Sequence, residues 1–212
     1  MRWVIGFIVL AGLTFAAGAL ARDEWRAQRQ AAISNTALRL DPAQILGHLP
    51  RTVESRYRLL SRCDAVMSDR FQPLQPPQTR AAVGAACQSL AEYILLDAPS
   101  LSLAHLVRAQ SLAEQGQDPH NSLMAAHETG GALLWMAARR LRLAFDGAGR
   151  AALSEMIGAD IAQLAKADLG RDYLAALYLQ ADAGKRAEMS AVFATLAPDL
   201  QAQIVAQIRR RL

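Results

Sequence analysis

Residues 3–21, WVIGFIVLAGLTFAAGALA, form an uncharged and almost wholly apolar run of nineteen residues. As a helix it would reach about 28 Å, close to the hydrocarbon thickness of a bilayer. Two readings fit. One is a cleaved secretory signal, with Arg2 as the basic region and Ala19-Leu20-Ala21 as a small-residue cleavage site. The other is a retained signal-anchor, residues 1–21. An h-region of ordinary length is already filled by Val4 to Ala17, and the chain continues past Arg22 without a helix breaker. Trp3 and Trp25 flank the run where interfacial aromatics anchor a span. The retained anchor is therefore the reading adopted, followed by a juxtamembrane helix over 22–40. The Lys/Arg count opposes export, because Arg22, Arg26 and Arg29 follow the run and only Arg2 precedes it. The short N-terminal tail with a single Arg is the pattern of an export leader, so the body is expected on the periplasmic side of a bacterial inner membrane.

The remaining stretch, 41–212, suits one domain or two small ones and is long enough to bury a core. It is rich in Ala, Leu, Arg and Gln and poor in β-branched residues, a helical bias. No alternating apolar pattern occurs. Punctuation is frequent instead. Asp41-Pro42 opens one helix, Ser100-Leu101-Ser102 opens another that stops at Gly116, and Asp118-Pro119 opens a third that ends at Gly130-Gly131. ALLWMAARRLRLAF is closed by DGAG, and RAALSEMIGADIAQLAKAD runs to about Gly170. DYLAALYLQADA runs to Gly184, KRAEMSAVFATLA to Pro198, and DLQAQIVAQIRRRL follows. The expected fold is all-α: a transmembrane helix, then eight or nine short helices that stabilise one another by stacking.

The two cysteines, Cys63 and Cys87, fall on helical stripes. The first reads Val53, Tyr57, Leu60, Cys63, Met67 and the second Val83, Cys87, Leu90, Ile94. DRFQPLQPPQ turns the chain between them, so antiparallel packing predicts a disulfide if the body is exported. Two buried thiols are the alternative.

Stretch 97–128, DAPSLSLAHLVRAQSLAEQGQDPHNSLMAAHE, resembles one helix pair of the tetratricopeptide family. Pro99 precedes the first helix, Ala109 and Leu112 take inner positions, Gly116 ends it, and Ala125 or Ala126 falls near the small-residue position of the second helix. His105 stands where that family prefers Trp, and Asn121 or Ser122 where it prefers Ala. The C-terminal part, WMAARRLRLAF and three further helices, is similar to degenerate helical-repeat proteins of bacterial cell-surface polysaccharide assembly. The resemblance implies a scaffold that binds other proteins or polymers through its surface.

Residues that carry chemistry are sparse. His48, His105, His120 and His127 form no HExxH or i,i+4 pair, so no metal or other cofactor is expected. Glu54-Ser55 is similar to the catalytic Glu-Ser of lytic transglycosylases, but the later motifs of that family are missing and a solvated Glu54 is expected. Glu155 and Asp160 read as surface charge. The net charge of +4 is mild and no aromatic residues interleave with the basic clusters, so nucleic acid is not an expected partner. The best candidate contact surface is Trp135 with Arg139, Arg140 and Arg142, suited to an acidic partner or an anionic glycan. In the competing arrangement Leu134, Trp135, Leu141 and Phe145 face inward and the arginines snorkel outward.

These readings give a membrane-anchored, non-enzymatic adaptor for other envelope proteins. Alternatives are an accessory subunit that contacts a membrane complex through its span, and an envelope enzyme of unrecognised type.

Overall fold

The computed structural model describes residues 11–19, 21, 22, 24, 25, 49, 51–68, 76–146 and 153–212. Among these the regular elements are helices, and no strand occurs. The nine from Val53 onward are α1 (Val53–Met67), α2 (Pro77–Asp97), α3 (Ser102–Glu114), α4 (His120–Gly130), α5 (Leu134–Asp146), α6 (Ser154–Ala165), α7 (Asp168–Gln180), α8 (Ala183–Phe193) and α9 (Pro198–Arg211). The chain divides into two compact units, Met1–Asp97 and Ala98–Leu212.

In the first unit, residues 11–19 are helical with exposed side chains. Among the described residues no helix is long and apolar enough to cross a membrane. Residues 1 and 2, residues 3–10 and 20 of the apolar run, most of the 22–40 segment, Asp41-Pro42 and His48 lie outside the described residues. α1 and α2 pack together through Leu59, Leu60, Val66, Val83, Leu90 and Ile94, all buried. Between these layers Cys63 and Cys87 form a disulfide across a Cα–Cα distance of 5.8 Å. Closing a loop between residues 24 apart stabilises the fold by about 3 kcal/mol. The inward stripe of α1 is rotated from the predicted one. Leu59, Leu60, Cys63, Val66 and Met67 are buried, whereas Val53 and Tyr57 are 71% and 42% exposed. A helix face is set by where its neighbour packs, and α2 covers α1 from the side of Leu59 and Cys63.

The second unit is a helical stack. α3 pairs with α4, α5 packs on both and on α6, and α7 is covered by α6, α8 and α9. Its core joins Leu123, Leu141, Phe145, Met156, Ile157, Ile161, Leu164, Leu174, Met189, Phe193 and Ile204. α3 ends in a Schellman arrangement: Gln117 N–H donates to Leu112 O (2.9 Å) and Gly116 N–H to Ala113 O (3.0 Å). Gly116 takes φ +69° there, a conformation glycine adopts without strain.

Two other glycines do not end helices as predicted. The helix read as running to Gly170 stops at Ala165, and a second one starts at Asp168. Gly170 lies inside α7 because a Cβ there would sit 2.1 Å from Leu164 O, so its role is close approach of one helix to another. Gly184 likewise lies inside α8; the break falls earlier, where Asp182 caps the helix by accepting from Lys185 N–H (2.9 Å). The α3–α4 pair occupies the stretch resembling a tetratricopeptide hairpin, but the helices give no evidence of a recurring unit of that kind.

Candidate functional site

α5 carries the four residues predicted to form a contact surface, and the structure separates them. Met136, Ala137, Leu141, Ala144 and Phe145 form its buried arc. Arg140 is three residues after Ala137 and four before Ala144, which places it on that same arc at 0% exposure. It cannot belong to a surface. Trp135, Arg139, Arg142 and Asp146 lie on the other side, with Trp135 39% exposed. The inward alternative also fails in part, because Leu134 and Trp135 are exposed while Leu141 and Phe145 are buried.

A buried guanidinium needs partners for its donors. Arg140 Nε donates to Asp160 Oδ2 (2.9 Å) and Nη2 to Asp160 Oδ1 (2.6 Å), the two-pronged pairing that planar Arg makes best. Nη1 donates to Ala126 O and Gly130 O, both at 3.3 Å, carbonyls near the C-terminal end of α4. One cation therefore joins α4, α5 and α6 and sits where the α4 dipole favours positive charge. Asp160, read from sequence as surface charge, is 0% exposed. It follows Ile157 by three and precedes Leu164 by four on the buried stripe of α6. His127, on α4, reaches the same carboxylate, with Nδ1 3.3 Å from Asp160 Oδ1; a carboxylate only accepts, so this nitrogen carries the hydrogen. Arg140 and Asp160 are both closed off from solvent, while the His127 side chain that reaches Asp160 is 26% exposed. Glycine completes this clamp: a Cβ on Gly130 would come 2.6 Å from Ser102 Cβ, so α4 ends close against α3.

The clamp fixes the base of an exposed feature. Leu133, Leu134 and Trp135, at the start of α5, are three consecutive partly exposed apolar residues. Gln163 of α6 donates to Ala132 O just before them (3.2 Å), and Tyr173 of α7 donates to Ala138 O just after (2.9 Å). On the outer face Arg142 lies 3.4 Å from Asp146, which also accepts from Lys185 of α8 (3.1 Å).

A shallow groove of about 380 Å³ runs between α7 and α9, lined by Asp168, Leu169, Arg171, Asp172, Gln207 and Arg210 among others. Its two carboxylates are each paired with an arginine. Arg211 and then Gln207 donate to Asp172, and these bonds hold its carboxyl below the ordinary range. Arg171 pairs with Asp168. The C-terminal arginines are in part bound to this groove rather than simply solvated.

The other sequence candidates separate as well. Glu54 is exposed and paired with Arg58 one turn on. Ser55 is buried, and its hydroxyl donates to Glu24. His105 bonds to Pro99 O through Nε2 (2.7 Å), and His120 N–H donates to Asp118 Oδ1 (2.9 Å). Among the described residues no group of three or more His, Cys, Asp or Glu is placed to hold a metal ion. Sequence reading missed the Arg140–Asp160 pair and Glu24. For the pair the signal was present: each residue sits at helical spacing between apolar neighbours.

Comparison with family models, curated proteins and solved structures found no match to this chain.

Proposed function

We propose that this chain is a membrane-anchored helical adaptor of a bacterial envelope, held by residues 3–21 with its body on the periplasmic side. Its task is to bind other envelope proteins, in the assembly or export of a surface polysaccharide. The observation that carries the adaptor reading is the run Leu133-Leu134-Trp135, exposed at the start of α5 and backed by the Arg140–Asp160 clamp. Exposed aromatic residues on a rigid base are the anchors that protein partners use. Arg139 and Arg142 give the neighbouring face a basic character suited to an acidic protein or an anionic glycan; Arg140 is not part of it. The export part rests on the Cys63–Cys87 disulfide, which persists in oxidising compartments. The resemblance to tetratricopeptide proteins contributes the α3–α4 pair alone.

A photo-crosslinking residue at position 135 tests the adaptor. A discrete adduct of higher mass in membranes, lost on Leu134→Glu, is the expected result; uncrosslinked chain alone contradicts it.

A second reading is favoured by residues 11–19. They are helical and exposed, and nothing lies within 4 Å of a Cβ built on Gly12 or Gly18. Small residues Ala11, Gly12, Ala16, Ala17 and Gly18, with Gly6, suit close helix–helix contact in lipid. The chain would then be an accessory subunit of an inner-membrane complex, and replacing 3–21 by an unrelated anchor would abolish function.

A further inference from the structure

Glu24 lies three residues beyond the apolar run, and its carboxylate closes onto the start of α1. Thr52 N–H donates to Oε2 (3.3 Å), while the hydroxyls of Thr52 and Ser55 both donate to Oε1. Thr52 is also the N-cap of α1, accepting from Ser55 N–H (3.2 Å), and Ser55 is fully buried. One carboxylate thus ties the segment after the run to a helix N-terminus 28 residues later.

That tie has a geometric consequence. Three residues reach at most about 11 Å however they are folded. If 3–21 spans a bilayer, Glu24 lies within that distance of its end, and the N-terminus of α1 lies one side chain farther.

The same end of the unit carries its exposed apolar side chains. α2 returns antiparallel to α1, and Arg56 pairs with Asp97 at 2.8 Å, so Leu96 lies at the end where α1 starts. Among the described residues of this unit after residue 21, the exposed large apolar side chains are Trp25 (56%), Val53, Tyr57 and Leu96. Each lies at this end: Trp25 follows Glu24, Val53 follows Thr52, Tyr57 is one turn along the same face, and Leu96 adjoins Asp97. Tyr57 and Trp25 are the residue types that favour the headgroup level of a membrane. At the opposite end of α1, Val66 and Met67 are buried.

We infer that this end of the disulfide-bonded hairpin is seated on the lipid interface, with Trp25, Val53, Tyr57 and Leu96 in the headgroup region and Glu24 as the latch that holds it there. The occupant is the bilayer, because the run that would span it ends within reach and brings the patch to its surface at high effective concentration. The inference rests on the retained-anchor reading and adds a contact to it.

The test uses the full chain in vesicles of phosphatidylethanolamine and phosphatidylglycerol whose acyl chains are brominated near the carbonyl end. A single tryptophan is placed by Tyr57→Trp after Trp3→Phe, Trp25→Phe and Trp135→Phe, with Val53→Trp on the same background as a second probe. The expected result is blue-shifted emission and loss of intensity relative to unbrominated vesicles. Adding Glu24→Ala should restore unquenched, red-shifted emission while the protein still sediments with the vesicles. Unquenched emission at both positions from sedimented protein overturns the inference and leaves the anchor standing. Quenching that persists without Glu24 overturns the latch. Protein that stays in the supernatant overturns the anchor reading and the seating together.

Discussion

At the scale of single residues, Arg140 and Asp160 are the fully buried charges among the described residues of the second unit, and they pair with each other. Removing one member of a buried ion pair leaves an uncompensated charge, which costs about 3–5 kcal/mol. Asp160→Ala should therefore destabilise the fold by that amount in denaturant unfolding, while Arg142→Ala on the outer face should change it by about 0.5 kcal/mol or less. Equal effects would mean that the clamp is dispensable. Gly170 is the steric counterpart, with Leu164 O in the space of its missing Cβ. Gly170→Ala should cost about 1–3 kcal/mol, because α7 must shift from α6 to admit the methyl group. Glu24 gives the pH dependence. Partial burial opposes its charge, but the bonds from Ser55 and Thr52 outweigh that, so its carboxyl titrates below its ordinary value. A depressed folded-state pKa stabilises above the unfolded value, near 4.3, and that stability is lost as pH falls below it. Amide exchange at Thr52 should accelerate as pH falls through this range, once corrected for intrinsic rates, and Glu24→Gln should flatten that response.

At the scale of elements, sequence reading located helices well and their faces less well. Ser102, Gly116, His120, Pro198 and the Cys63–Cys87 pairing were legible because caps, turns and simple periodicity are local. Gly170 and Gly184 were misread as stops, since a glycine that ends a helix and one that admits a neighbour look alike in one dimension. Val53 and Tyr57 were placed inward because they are apolar, yet α2 covers a different arc of α1. Arg140 and Asp160 were assigned to the surface by charge although their spacing put them among buried residues; long-range pairing between α5 and α6 decided the matter. The hairpin itself yields a direct prediction. Reduction of Cys63–Cys87 should lower the stability of the α1–α2 unit by about 3 kcal/mol, seen as loss of amide protection over Val53–Met67 and Pro77–Asp97. Protection in the second unit should be unchanged, and a global loss would contradict a stabilisation confined to that hairpin.

At the scale of the whole molecule, the proposed adaptor divides its tasks by unit. The first, with its anchor, latch and disulfide, sets position; the second presents Leu133-Leu134-Trp135 on a braced α5. Retention of the apolar run and an oxidised cysteine pair must coexist in one chain for this to hold. Intact-mass analysis of the chain extracted from bacterial membranes, alkylated under denaturing conditions without reductant, reads both at once. The account predicts a mass that still includes residues 3–21, with no alkyl group added; a chain beginning at Arg22, or one with Cys63 and Cys87 both alkylated, would contradict it.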